Sequence, residues 1–494
     1  MKKLIVFMIL IGVLGSSCQK FLSIDETNPN SAALVPPDLL LAAALNATAT
    51  NVTNPVNYEF IYLWYGLWCI SNGYSQPTNL TQYNLANSGY QADWDTAYLN
   101  MQNYDYMELN SASSQNKPYR AIAKIMKAYI MQYLVDTYGN VPYSQALKAG
   151  QGNLRPVYDD QQAIYEDLVI QLDSAMNLID NLSLDAVQIG STDIVYGGDM
   201  GMWKKFANTI KLRMLVNQAG MSGRSGYITA ALATTPHSTA DYIGDGEGAW
   251  ANPGYLQSTG KMNPFWEVFY KQDGSEQSDG LRYYMAGQDA CNFLTDNNDP
   301  RKTRFFAPYA NENIQGNYFG ALVLQPVPVT SLLGPGMLQS YKQSAPLLTE
   351  FESLFLQAEA VSRGLIDGDA KALYEDAVTQ SIIYEGGSAG DAGAYLAQVS
   401  KPQVSFEAAT DKINLIISQK WISLNGLNPM PIWTDFRRTG FPIFLHFSQD
   451  PARQNNTPPV RLLYPQTELN TNNDNVLAQG KIDAFTSKIF WQNR

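Results

Sequence analysis

The chain has 494 residues and 45% of them are hydrophobic, enough for a large core and, on length alone, for about three domains at most. It is acidic, with 33 Lys and Arg against 45 Asp and Glu, a balance that disfavours nucleic acid and anionic lipid as partners. Three cysteines in so long a chain exclude a disulfide framework.

The N-terminus reads as a targeting segment. Met1-Lys2-Lys3 is a basic n-region, Leu4 to Leu14 an apolar h-region, and Gly15-Ser16-Ser17 a small-residue cleavage site. The apolar run is too short to cross a membrane as a helix, which takes about 20 residues. Cys18 follows directly, as in a bacterial lipoprotein signal, although the usual Leu lies one place early, at Leu14, and Gly15 stands in its position. On this reading the signal is removed, Cys18 becomes an acylated N-terminus, and the mature chain carries 31 basic and 45 acidic residues, a net charge of −14. Whether Cys69 and Cys291 pair is open at this point.

Helical periodicity recurs along the chain. Ile122, Ile125, Met126, Tyr129 and Tyr133 form one apolar stripe; Leu168, Leu172, Ala175, Met176 and Ile179 form a second; Trp203, Phe206, Ala207, Ile210 and Met214 form a third. Phe351, Leu354, Phe355 and Ala358 precede a stop at Gly364, and Ala370, Leu373, Tyr374, Ala377, Val378 and Ser381 make a regular partner helix. Ile413, Ile416, Ile417, Trp421 and Leu424 close the series before Gly426. The spacing Ala370-x3-Tyr374-x2-Ala377 resembles the second helix of a tetratricopeptide repeat, where small residues let two helices approach closely. The expected fold is therefore dominated by α-helices, with degenerate tetratricopeptide-like pairs forming a scaffold. Long loops at about 51–92, 235–345 and 440–480, dense in Gly, Pro, Asn and Asp, cover it with little β structure.

The chemistry-bearing residues point away from catalysis. The two histidines, His237 and His446, lie in unlike surroundings, and no zinc helix or dinucleotide fingerprint occurs. No cofactor is implied. Asp289, Asp296 and Asp299, or Asp241, Asp245 and Glu247, offer oxygen ligands for a structural calcium ion, without the twelve-residue loop pattern. The positive signal is aromatic: nine Trp and thirty Tyr against nineteen Phe, a balance toward rings with a polar handle. A sugar ring stacks its C–H face on such a ring, while its hydroxyls take amide and carboxylate partners. Loop segments that mix both are Trp64 through Tyr74, including Trp68 and Asn72, and Trp250 through Tyr255 with Trp266 nearby. Trp250, between Gly, Asn and Pro, is the leading expectation for an exposed binding ring, followed by Tyr74 and Tyr255. Trp68 and Trp266 each also fit core packing.

Motifs running from end to end carry a resemblance. They are Cys18 with Phe21-Leu22, Trp94-x3-Tyr98, the run Leu134-Val135-Asp136-Thr137-Tyr138-Gly139-Asn140-Val141-Pro142-Tyr143, and Asp193 through Asp199 with Trp203 through Asn208. Asn298-Asp299-Pro300-Arg301, Glu352 with Ala358-Glu359-Ala360-x2-Arg363-Gly364, Trp433-x-Asp435-x-Arg437-Arg438-Thr439-Gly440 and Arg461-x2-Tyr464-Pro465 follow. In this order they resemble the SusD/RagB family of Bacteroidetes outer-membrane nutrient-binding lipoproteins, in its divergent SusD-like branch. Most of these residues suit architecture; Asp136 is a candidate ion-pair partner for Arg437-Arg438.

The resemblance implies a non-catalytic protein anchored by lipid in the outer membrane and facing the exterior, with Asp25-Glu26 compatible with surface export. It implies capture of an extracellular oligomer, a glycan in many members and a peptide in others, for delivery to a SusC-like TonB-dependent transporter. It also implies a ligand surface built by the loop before the first long helices and by the central excursion. The expected organisation is a signal at 1–17, a lipidated tether at 18–37 and one helical domain at 38–494. Two other readings stay open: a surface-displayed hydrolase of the same polymer, and a non-binding scaffold lipoprotein.

Overall fold

The computed structural model describes residues 35–235, 238–277, 280–309 and 313–492. The signal segment, Cys18, Phe21-Leu22, Asp25-Glu26 and His237 lie outside the described residues. Nine helices build the scaffold: α1 (Pro37–Thr53), α2 (Gln91–Asn110), α3 (Lys117–Tyr138), α4 (Gln161–Asp180), α5 (Met200–Asn217), α6 (Glu350–Ser362), α7 (Ala370–Tyr384), α8 (Lys412–Ser423) and α9 (Met430–Thr439). Each packs on its successor from α1 to α7, with α5 meeting α6 across the long central excursion, and α6 also holds α8. Stacking of this nearest-neighbour kind is how helical repeats bury a continuous core. The other helices are short, and the sheets among the described residues are three two-stranded ones.

Local chemistry explains where the helices start and stop. Asp160, Asp199, Asp369 and Asp411 each cap a helix N-terminus by accepting backbone N–H groups, a contribution of about 1 kcal/mol apiece. α3 has Pro118 in its first turn and ends at Gly139, whose φ of +75° suits a residue without Cβ. The stripes at 122–133, 168–176 and 203–214 are buried. Tyr374 fits the tetratricopeptide-like role: its ring packs near Phe355 and its hydroxyl donates to the Val404 carbonyl at 2.7 Å. Helix α1 arises where the sequence shows no clear stripe, and the short helix Gln288–Asp296, which buries Ala290, Cys291, Phe293 and Leu294, arises within the stretch expected as loop.

Buried ion pairs tie the stack together. Arg438 on α9 grips Glu359 on α6 with two bonds of 2.5 Å and also reaches Asp435, which Lys420 on α8 meets at 3.1 Å. Burial works against the Glu359 charge, yet Arg438 and Arg363 hold its carboxyl below the ordinary carboxylate value. Arg213 on α5 pairs with Glu352 at 3.2 Å and with Gln132. The expected pairing of Asp136 with Arg437-Arg438 takes a different form. Its carboxylate accepts from the Tyr165 hydroxyl and from the Trp491 indole at 2.9 Å, while Arg437 donates to the Asp136 backbone carbonyl. Burial raises the Asp136 carboxyl to about 6 against those hydrogen bonds.

Small sheets pin the excursions to this scaffold. Strand β1 (Trp68–Ile70) pairs antiparallel with β5 (Tyr284–Ala286), β2 (Val141–Pro142) with β3 (Tyr158–Asp159), and β4 (Ala249–Ala251) with β6 (Ala345–Leu348), which leads into α6. The core is one connected cluster that reaches from Leu41 on α1 to Trp491. Cys69 and Cys291 are both buried and free; burial pushes the Cys69 thiol up to about 12, and it donates to the Ala286 carbonyl.

Candidate functional site

Seven of the nine tryptophans are buried, which leaves Trp250 and Trp266 partly exposed. Trp68 is one of the seven. It opens the β1 ladder opposite Ala286, stacks on Tyr62 at 4.1 Å and donates its indole N–H to Asn425 at 2.8 Å. Phe265, Phe269 and Tyr284 close around it. The expectation of Trp68 as a ligand ring is therefore corrected: its faces and its donor are used by the core.

Trp250 also differs from its expected role. On β4 its ring lies against Tyr384 of α7 at 4.9 Å and 18°, and its indole N–H donates to Glu350 of α6 at 2.9 Å. Gly248 makes room for this arrangement, since a Cβ there would come within 2.3 Å of the indole nitrogen. The ring fastens a strand to the scaffold. Tyr255 is 7% exposed and lines a groove against α1.

The remaining candidates belong to two separate, half-exposed ring pairs and the turns that carry them. The short helix Pro264–Phe269 starts at Asn263, whose side chain accepts from the Phe265 and Trp266 backbone N–H groups at 3.0 Å, with Pro264 in its first turn. Phe265 and Phe269 turn inward and are buried. Trp266, four residues before Tyr270, stacks on it at 4.3 Å and 20°, and both rings are half-exposed. Beyond the turn that follows, Tyr283 meets Tyr74 edge to face at 5.3 Å and 86°, again with both rings half-exposed. Ser71 donates its backbone N–H to the Tyr283 carbonyl at 2.9 Å, and the Gln76 amide closes the 71–76 turn on the Ser71 and Tyr74 carbonyls. Asn72 stands exposed at its tip.

The segment 270–277 follows the first ring pair. It is held by a Tyr270–Glu276 bridge and by the Gln277 N–H on the Phe269 carbonyl at 2.9 Å. Tyr270 and Tyr283 were missed in the sequence; the readable signal for Tyr270 is its four-residue spacing from Trp266 after an Asn-Pro helix start. The arrangement offers apolar ring faces, amides and hydroxyls on rigid turns. The carboxyls raised furthest, Asp93 and Glu385, both pushed up to about 8 by burial, are core residues away from these rings. The acidic groups considered for calcium are dispersed. Asp289 binds His446, Asp299 binds Arg301, Glu247 binds Lys205, and no cluster of three metal-ligating side chains exists among the described residues.

A family model described as "Starch-binding associating with outer membrane", for SusD-like proteins, matches residues 29–465. The chain belongs to the SusD-like family. Solved structures share its fold across nearly the whole length. A chitin-binding protein is 23% identical, covers 93% of this chain and 100% of its own, and superposes with a TM-score of 0.75. A SusD homolog from Bacteroides uniformis is 23% identical, with coverage of 92% and 99% and a TM-score of 0.74. A chitin-binding SusD homolog from Flavobacterium johnsoniae is 20% identical, with coverage of 91% and 98% and a TM-score of 0.74. No curated protein matches the chain. SusD-like membership bears out the family read from the ordered motifs, and the helical scaffold with small sheets bears out the expected fold. The family is described as associating with the outer membrane, and no described helix is long and apolar enough to cross a membrane.

Proposed function

We propose that this SusD-like protein captures an extracellular oligosaccharide on the surface formed by Asn72, Tyr74, Trp266, Tyr270 and Tyr283. A lipid on Cys18 holds it in the outer membrane with this surface toward the exterior, and the captured chain passes to a SusC-like TonB-dependent transporter. The observation that carries this reading is the two half-exposed ring pairs, Trp266–Tyr270 and Tyr74–Tyr283, set on turns that a rigid helical stack supports. Ring faces take the C–H faces of sugars, and the Asn72 amide and the Gln76 side-chain carbonyl suit their hydroxyls. The family description as starch-binding and the chitin-binding structural neighbours favour a glycan over a peptide. Binding is favoured over hydrolysis because the strongly raised carboxyls belong to the core.

The test is a binding screen of the mature chain, residues 19–494, against oligosaccharides and peptides, with products analysed in the same wells. Glycan binding without turnover is the expected result. Turnover would replace this reading with a hydrolase, and silence from both panels would replace it with a scaffold lipoprotein. Fatty-acid labelling of the full-length protein, lost in Cys18→Ala, is expected from the anchor.

A further inference from the structure

We infer that a groove between α1 and the segment 253–268 is a second binding site, separate from the aromatic surface, for a neutral hydroxyl-bearing chain of the oligosaccharide class. The groove has a volume of about 540 Å³. One wall is a polar stripe of α1 and its C-terminal cap: Asn46 and Thr50, at i and i+4, share a face of the helix, and Asn54 follows just past its last turn. The step from Asn46 to Thr50 rises about 6 Å along the axis, close to the length of one sugar unit in an extended chain. The opposite face of α1 carries Leu41, Ala44, Leu45 and Val52 into the core, so the stripe is held by a packed helix. The other wall includes Pro253, Leu256 and Val268, apolar surface for the C–H faces of a sugar.

Two lining residues carry unmet hydrogen-bonding capacity. The Asn46 side-chain carbonyl and the Tyr255 hydroxyl are buried oxygens without a partner in the protein, and Tyr255 is more than nine-tenths buried. Buried polar atoms are normally paired, so two orphans in the lining of one groove point to a ligand that supplies the partner. The charges argue for a neutral ligand. The groove lining holds one cation and one anion, Lys261 and Glu267, and Glu267 already accepts the Gly260 backbone N–H at 2.5 Å. The lip is fixed by the Leu256 N–H on the Lys261 carbonyl and the Lys261 N–H on the Ser258 carbonyl.

The short helix Pro264–Phe269 separates the two sites. Pro264, Glu267 and Val268 face the groove, whereas Trp266, two residues after Pro264, falls near the opposite side of the helical wheel and stacks outside on Tyr270. The groove does not depend on the proposed role of the aromatic rings.

Amide hydrogen exchange of the mature chain, with maltoheptaose and chitohexaose as neutral probes and an oligogalacturonate as anionic control, tests the site. At least one neutral probe is expected to protect segments 46–54 and 253–262, in the wild type and in Trp266→Ala alike. Thr50→Trp, which fills the groove from α1, is expected to weaken that protection about tenfold in apparent affinity. Tyr255→Phe is expected to weaken it by a smaller factor without lowering stability, because the deleted hydroxyl has no partner to lose; it decides the matter if Thr50→Trp fails to fold. Protection confined to 72–76 and 266–283, unchanged in both groove variants, would overturn the groove and leave the proposed function standing. Groove protection lost in Trp266→Ala would overturn its independence, and equal protection by the anionic control would overturn the ligand class. Absence of protection at both regions with every probe would overturn both proposals.

Discussion

Trp250 on Tyr384 and Trp266 on Tyr270 are two stacked pairs of nearly equal geometry, at 4.9 Å and 18° and at 4.3 Å and 20°. They differ in what surrounds them. The first joins β4 to α7, and its indole N–H is taken by Glu350 of α6, so the pair spans elements distant in sequence. The second lies within six residues, at one end of a short helix, and needs no distant contact to form. A stack that bridges elements contributes to the fold, whereas a local stack on a supported turn leaves its outer face open to solvent, which is the property the proposed ligand surface needs. Stacking alone therefore does not separate the two pairs; the origin of the partner does.

Four measurements would break or sharpen this contrast, taken from the largest effect down. Trp250→Ala should lower stability by about 3 kcal/mol in denaturant unfolding, while the folded fraction keeps wild-type glycan affinity. An affinity loss without a stability loss would reverse the assignment. The scaffold also differs from the ring surface in its pH response. Asp93, in the first turn of α2, is buried with one oxygen unpartnered, and burial raises its carboxyl to about 8. Since its ordinary value is 3.8, the folded state holds the proton longer than the unfolded state, and this group makes stability fall as pH rises from about 4 to 8. Glu385 acts in the same direction. Asp93→Asn should flatten that slope and stabilise the protein by about 1–2 kcal/mol at pH 8, with glycan affinity unchanged.

Next in size, Trp266→Ala should weaken glycan binding about tenfold, or about 1.4 kcal/mol, with only a small stability change. Calorimetry and thermal unfolding on one sample separate the two quantities. Tyr270→Ala should show the same pattern at about 0.5–1 kcal/mol, because it removes the ring that supports Trp266. A larger stability cost than affinity cost in these last two variants would place the second pair with the first.

Much of the scaffold was legible because its signals are local. The stripe from Ile122 to Tyr133 lies along α3, the spacing Ala370-x3-Tyr374-x2-Ala377 lies along α7, and Gly139 and Gly364 stop their helices at the expected places. α1 was not legible, since alternating Ala, Leu, Asn and Thr gives no sharp apolar face, and its burial comes from α2 and β6. The candidate site was legible only as a region. Asn72, Tyr74 and Trp266 lie on its surface, Trp68 does not, and Tyr270 and Tyr283 had no local mark strong enough to single them out.

By itself the sequence determined the helical class, the helix caps and stops, the family through its ordered motifs, and the expectation of a lipidated Cys18. Each of these depends on neighbours within a few turns of chain or on residue order alone. The tertiary structure decided which aromatic rings are core and which are surface. Trp68 is enclosed because β1 pairs with β5, Trp250 is occupied because Tyr384 and Glu350 reach it, and the groove beside Tyr255 exists because α1 meets a segment far along the chain. Burial is a property of the packed whole: a ring in a Gly-, Asn- and Tyr-rich stretch carries the same local signal whether distant elements close over it or leave it open to water.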